Sequence, residues 1–305
     1  MFRYVFLLLV LAVLDTSRVG AAESTVDIET AARIYHDAAM REQVRASLGV
    51  MPAHVRQLFS ADTAGHLSEA QLQAVTSAAE RGFRIDVFEA PALSALAANL
   101  DAETVKKTEA FLASDLGRRM VAADLALAVQ PEATIDAIMS GKVSTPSTPR
   151  RDALFDKLEH ATRSTESTVQ IFLSMGEAVA LGTAMGAGKD PAAVERDARQ
   201  SAEAGRDALE QNMREPLRRY LAYTYRGMSE SDLKHLLAFL ESAAGKRYVT
   251  AWTASLDAGF AAMGKRCGEQ LGESLRELAQ AQLPQTTVNP PPPLIAAPAA
   301  PEVPQ

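Results

Sequence analysis

"FLESAAGKRYV", residues 239–249, decides how the chain is read, because "FLASDLGRRMV" already stands at 111–121. The offset is 128 throughout: Phe111 answers to Phe239, Leu112 to Leu240, Ser114 to Ser242, Gly117 to Gly245, Arg119 to Arg247 and Val121 to Val249. Ahead of the second copy, Leu233, Leu236, Leu237 and Leu240 form one helical stripe; after it, Tyr248, Val249 and Trp252 resume an apolar face. Ser242 between them is a good N-cap, since its side-chain oxygen can take an amide of the following turn. The phrase reads as two helices meeting at a bend, with the serine opening the second. Glycine in a first turn costs up to about 1 kcal/mol against alanine. Its presence at both positions predicts that backbone packs where a Cβ would stand.

Outward from the two phrases the signals stay helical. Ile34, Ala38, Val44 and Leu48 share helical spacing until Gly49 and Pro52 interrupt it. Ser68 with Gln71 forms a capping box ahead of Leu72, Val75, Ala79 and Phe83. Asp101 caps the helix of Val105, Thr108 and Phe111, and Pro131 suits the first turn of a short helix holding Ile135 and Ile138. "VSTPSTPRR", 143–151, lacks apolar periodicity and reads as a connection. Beyond it, Leu154, Leu158 and Ala161 share a face, Asp190-Pro191 opens a long helix that Pro216 is expected to break or kink, and Ser229–Asp232 caps the next. No stretch alternates with period two in β-branched residues. The expected fold is all-α: two related helical repeats in tandem, at 24–142 (core about 90–130) and 151–282 (core about 216–262), joined by a linker at 143–150. Eight of the fifteen prolines fall from Pro284 onward, so 283–305 is expected to be a disordered, extended tail.

The N-terminus reads as an export signal over residues 1–21. Arg3 precedes an apolar run from Val5 to Leu14, and Val19-Gly20-Ala21 offers small residues for cleavage near Ala21–Ala22. The run is half of what a bilayer span requires. The expected location is therefore periplasmic or secreted. Net charge is −7 with the charges interspersed, so nucleic acid is not an expected partner. Cys267 is the only cysteine. It shares a helical face with Phe260, Met263, Leu271, Leu275 and Leu278, which predicts a buried thiol.

Candidate chemistry is sparse. Ser114, Arg118 and Arg119, and again Ser242, Lys246 and Arg247, set a capping serine and basic residues at a helix start, a possible anion site. The competing reading is a cap followed by solvated bases. "GTAMGAGKD", 182–190, fails as a phosphate loop: five residues separate Gly182 from Gly188, and Asp190 stands where a hydroxyl should hold magnesium. No cofactor is indicated. In "IFLSMGEAVALGTAMGAG", 171–188, Phe172, Met175, Val179, Gly182 and Gly186 share a face opposite Glu177; Gly264, Gly268 and Gly272 form a second small-residue row. Both predict close helix–helix contact rather than a transmembrane span. His36, His54, His66, His160 and His235 show no metal-binding spacing, and Asp156–His160 reads as a surface pair. "RRYLAYTYRG", 218–227, reads as a tyrosine-edged helix or as a partner-facing one.

The phrase Phe-Leu-x-Ser-x-x-Gly-basic behind a leucine-rich helix, twice in register after a signal peptide, resembles a bacterial family known only as domain of unknown function twenty fifty-nine. The resemblance covers about 40 residues around each copy. Leu112 and Leu240 stand where an aromatic is common in that family, and Asp115 and Ala243 where proline is. The resemblance implies an exported all-helical domain and supplies no catalytic residues. Two functional expectations follow. One is a protein- or peptide-binding scaffold with an envelope partner. The alternative is a hydrolase with a site between the repeats, or a carrier of an apolar small molecule.

Overall fold

The computed structural model describes residues 26–49, 56 and 68–281. Residues 1–21, read above as an export signal, and His54, His66 and the proline-rich segment from 283 onward lie outside the described residues. Among these, twelve helices are bounded and no strand occurs, so the fold is all-α. In chain order they are α1 (Ile28–Asp37), α2 (Met40–Leu48), α3 (Glu69–Gly82), α4 (Ile85–Asn99), α5 (Ala102–Leu112), α6 (Asp115–Ala128) and α7 (Glu132–Met139). After the connection come α8 (Pro149–Thr162), α9 (Ser164–Gly186), α10 (Pro191–Thr224), α11 (Glu230–Glu241) and α12 (Ala243–Ala281).

Local capping chemistry sets most of the starts. Ser68 and Gln71 complete the capping box of α3 in both directions. Asp101, Ser114, Asp190 and Ser229 each take an amide of the turn they open. Three details differ from the sequence expectation. The first helix is two, broken where Ala39 adopts φ +53, and Gln43 donates to the Ala38 carbonyl left at the break. A second left-handed residue, Arg163 at φ +44, separates α8 from α9. Neither is a glycine, so composition gave no warning. Of the break or kink expected at Pro216, the break does not occur: α10 runs 34 residues through it, with Met213, Leu217 and Tyr220 buried on either side.

The 39-residue α12 is the spine. It packs against α9, α4 and α3, and its Tyr248, Val249, Trp252, Leu256, Phe260, Met263 and Cys267 run through the main core. That core also takes Phe88, Leu96 and Leu112 from the first half and Phe155, Leu158 and Leu237 from the second. Cys267 is 6% exposed and unpaired; burial pushes its thiol up to about 11, too high for a reactive thiolate. A Cβ on Gly82 would lie 2.4 Å from the Cys267 Cα, so α3 crosses α12 at this point in backbone contact.

Candidate functional site

The repeated phrase is built the same way twice. Ser114 Oγ donates to the Phe111 carbonyl at 2.6 Å and accepts from the Gly117 amide at 3.0 Å; Ser242 does both to Phe239 and Gly245 at the same distances. A Cβ on Gly117 would stand 2.1 Å from the Phe111 oxygen, and one on Gly245 1.9 Å from that of Phe239. The backbone that excludes a side chain is therefore the end of the preceding helix, folded over the start of the next.

The two joints then meet. The Phe111 and Phe239 rings stack at 3.9 Å between centroids and 2° between planes. Arg119 forks onto both oxygens of Asp232 at 2.9 and 2.7 Å, in the first turn of α11. Arg247 answers by reaching Asp101, the N-cap of α5, at 3.1 Å, and the Asn99 carbonyl at 3.3 Å. Each copy's second basic residue thus ties down the start of the helix that leads into the other copy's joint. Arg119 first, then the Ser229 amide and hydroxyl, hold the Asp232 carboxyl well below the usual carboxylate range. The Thr104 amide, with Arg247 adding, lowers Asp101.

The candidate anion residues are accounted for by these contacts. Both serine hydroxyls are engaged in their own joints, Arg119 and Arg247 cross to the other joint's helix, and Arg118 pairs with Asp115 and the Ala113 carbonyl. Only Lys246 is exposed without a described partner. The histidines among the described residues, His36, His160 and His235, are all exposed, and Asp156 pairs with Arg218 at 2.5 Å rather than with His160. No trio of potential metal ligands occurs among the described residues.

Two of the three tyrosines from 218–227 turn inward. Tyr220 and Tyr225 are buried and, with Tyr248, surround Asp124 of α6. Burial lifts the Asp124 carboxyl to about 7 against a lowering hydrogen bond from the Tyr225 hydroxyl. The signal was a lone acid in the apolar run "VAADLALA", 121–128. Its tyrosine partners lie about a hundred residues away.

The small-residue rows meet each other. A Cβ on Gly264, Gly268 or Gly272 would lie 2.7, 2.1 or 2.2 Å from the carbonyls of Met175, Val179 and Thr183; one on Gly182 or Gly186 would lie 2.2 or 2.1 Å from those of Lys265 and Glu269. α9 and α12 therefore run parallel in backbone contact over three turns. α9 is 23 residues long and, by length and composition, long and apolar enough to cross a membrane; here it is packed between α12 and α10. Phe172 leaves the α12-facing set that its spacing suggested and packs with Val169, Leu209 and Met213 toward α10.

The opposite flank of α9 is different. α10 lies antiparallel to it, tied by Arg199–Glu177 at 3.3 Å and Arg206–Gln170 at 2.7 Å. The lower half of α10 buries Leu209, Met213, Leu217 and Tyr220; from Pro191 to Ala208 no residue is fully buried. Between that upper half and α9 lies an apolar trough of about 470 Å³, floored by Phe172, Leu173 and Leu209 and walled by Gly176, Ala198, Ala202 and Gly205. A Cβ on Gly176 or Gly205 would meet nothing within 4 Å. At its upper end a second recess of about 590 Å³ opens between Ala180, Ala184, Ala187, Val194 and, from the last turns of α12, Leu275 and Ala279. Sequence reasoning missed the trough. The trace was Ala198, Ala202 and Gly205 at helical spacing in an otherwise charged helix.

No family model matches the chain, and neither a curated protein nor a solved structure does.

Proposed function

We propose that the chain is an exported, periplasmic helical protein that binds a segment of another envelope protein in the trough between α9 and α10. The observation that carries this is the upper half of α10. It is a long helix whose inner face is made of small residues and left standing off its neighbour, over an apolar floor. Elsewhere the same chain brings small-residue helices into backbone contact, so the gap is not a general looseness of packing. Apolar grooves of this kind take a partner's apolar side chains while the rim fixes register. Leucine at Gly176 and Gly205 fills the trough from positions with open space above them, and the fold is expected to tolerate both. Retention of an envelope partner by the purified mature chain should be lost in that double variant. Undiminished retention would overturn the assignment of the trough.

A further inference from the structure

We propose that the trough is covered, when no partner is present, by the chain's own proline-rich segment, residues 290–301, docked in cis as an extended strand. The inference rests on the reading of the trough as a binding site and adds how that site is regulated.

Three observations point to this occupant. The first is where the described chain ends. α9 and α12 run parallel and α10 begins where α9 stops, so the end of α12 at Ala281, the end of α9 at Gly186 and the start of α10 at Pro191 all lie at the mouth of the trough. Leu275 and Ala279 already wall the upper recess, and the segment that follows leaves two residues beyond Ala279. The second is reach. Leu294 stands thirteen residues past Ala281. At about 3.1 Å per residue in an extended proline helix this spans up to about 40 Å. The trough floor near Gly176 is eleven residues below Ala187 on α9, about 16 Å at 1.5 Å per residue.

The third is chemistry. "PPPPLIAAPAAP", 290–301, carries no charge, and Glu302 is the one charged residue from Pro284 to Gln305. The trough wall matches it: its one charged residue, Glu177, already pairs with Arg199. A proline-rich strand suits such a slot better than a β-strand does. Its backbone needs no sheet edge, and its fixed φ leaves less conformational freedom to lose on docking. Tethering adds an effective concentration in the millimolar range, so contacts too weak to hold a free peptide suffice in cis.

The test uses the full mature chain with a photoreactive diazirine side chain in place of Leu294, irradiated in purified form and mapped by mass spectrometry. The expected result is an intramolecular crosslink to the neighbourhood of Phe172, Leu173 or Ala202. It should survive tenfold dilution and be lost when Gly176→Leu and Gly205→Leu fill the trough. Crosslinks to another surface, to a second chain, or undiminished by the filled trough would overturn the proposal, as would their absence. A chain that crosslinks in cis yet retains no partner removes the function proposed above and keeps this inference. Partner retention abolished by the filled trough, with Leu294 crosslinking elsewhere, does the reverse.

Discussion

Gly268→Ala should unfold this protein more readily, and Gly205→Ala should stabilise it, although both change a helical glycine to the best helix former. In each helix the substitution gains up to about 1 kcal/mol of propensity. At Gly205 nothing lies within 4 Å of the new methyl, so the gain is kept. At Gly268 the methyl would lie 2.1 Å from the Val179 oxygen and 2.8 Å from the Thr183 amide nitrogen, distances that real side chains essentially never show. Neither atom can rotate away, because both are backbone of α9. The helices must separate, and the contacts at Gly264, Gly272, Gly182 and Gly186 lie on the same seam. Overpacking of this kind costs about 1–3 kcal/mol. The propensity gain is common to both, so the two variants should differ by the overpacking cost, about 1–3 kcal/mol. At about 2–4 °C per kcal/mol for chains of 150–250 residues, this is a gap of at least about 2 °C in Tm by scanning calorimetry. A Gly268→Ala protein melting within about 1 °C of Gly205→Ala would refute the backbone-contact seam.

The joint offers a parallel comparison: Gly245→Leu, aimed at the Phe239 carbonyl, should cost at least about 2 kcal/mol in urea unfolding, while Ala243→Leu, on an exposed position, should be near neutral. Asp232→Asn should destabilise by roughly 1 kcal/mol at pH 7, the upper range for a partly exposed pair. Because the native carboxyl sits below its unfolded value of about 3.9, the difference from wild type should shrink as pH falls below about 4. Asp124 has the opposite sign. Its native carboxyl is raised to about 7, so its contribution is full below about pH 4 and is lost as pH rises to about 7. Asp124→Asn should match wild type in urea midpoint near pH 4 and exceed it at pH 8; an unchanged profile would remove the buried acid from the pH dependence.

What the sequence made legible was chemistry confined to a turn or a face. Ser68, Asp101, Ser114, Asp190 and Ser229 cap as their neighbours required, because a cap and its amide lie within three residues. Cys267 is buried, because its face was apolar before any partner was known. The glycine rows announced close contact, though not that they would contact each other. The breaks at Ala39 and Arg163 were hidden, since left-handed backbone at an alanine or an arginine leaves no trace in composition. Arg119 and Arg247 looked like solvated bases, because Asp232 and Asp101 lie 113 and 146 residues away. Phe172 turned toward α10 rather than α12, where it packs with Leu209 and Met213, residues of a helix its own spacing could not reveal. The trough itself depends on how far one helix stands from another, and helical periodicity does not encode that distance.

The most direct test of the trough as the working surface places a diazirine side chain at Ala202 in the full-length chain at its native abundance in cells, with a second chain labelled at exposed Arg226 for comparison. The expected result is a discrete adduct with one envelope protein from Ala202 alone, lost when Gly176→Leu and Gly205→Leu fill the floor. The same adducts from both positions, or an Ala202 adduct that survives the filled trough, would contradict it.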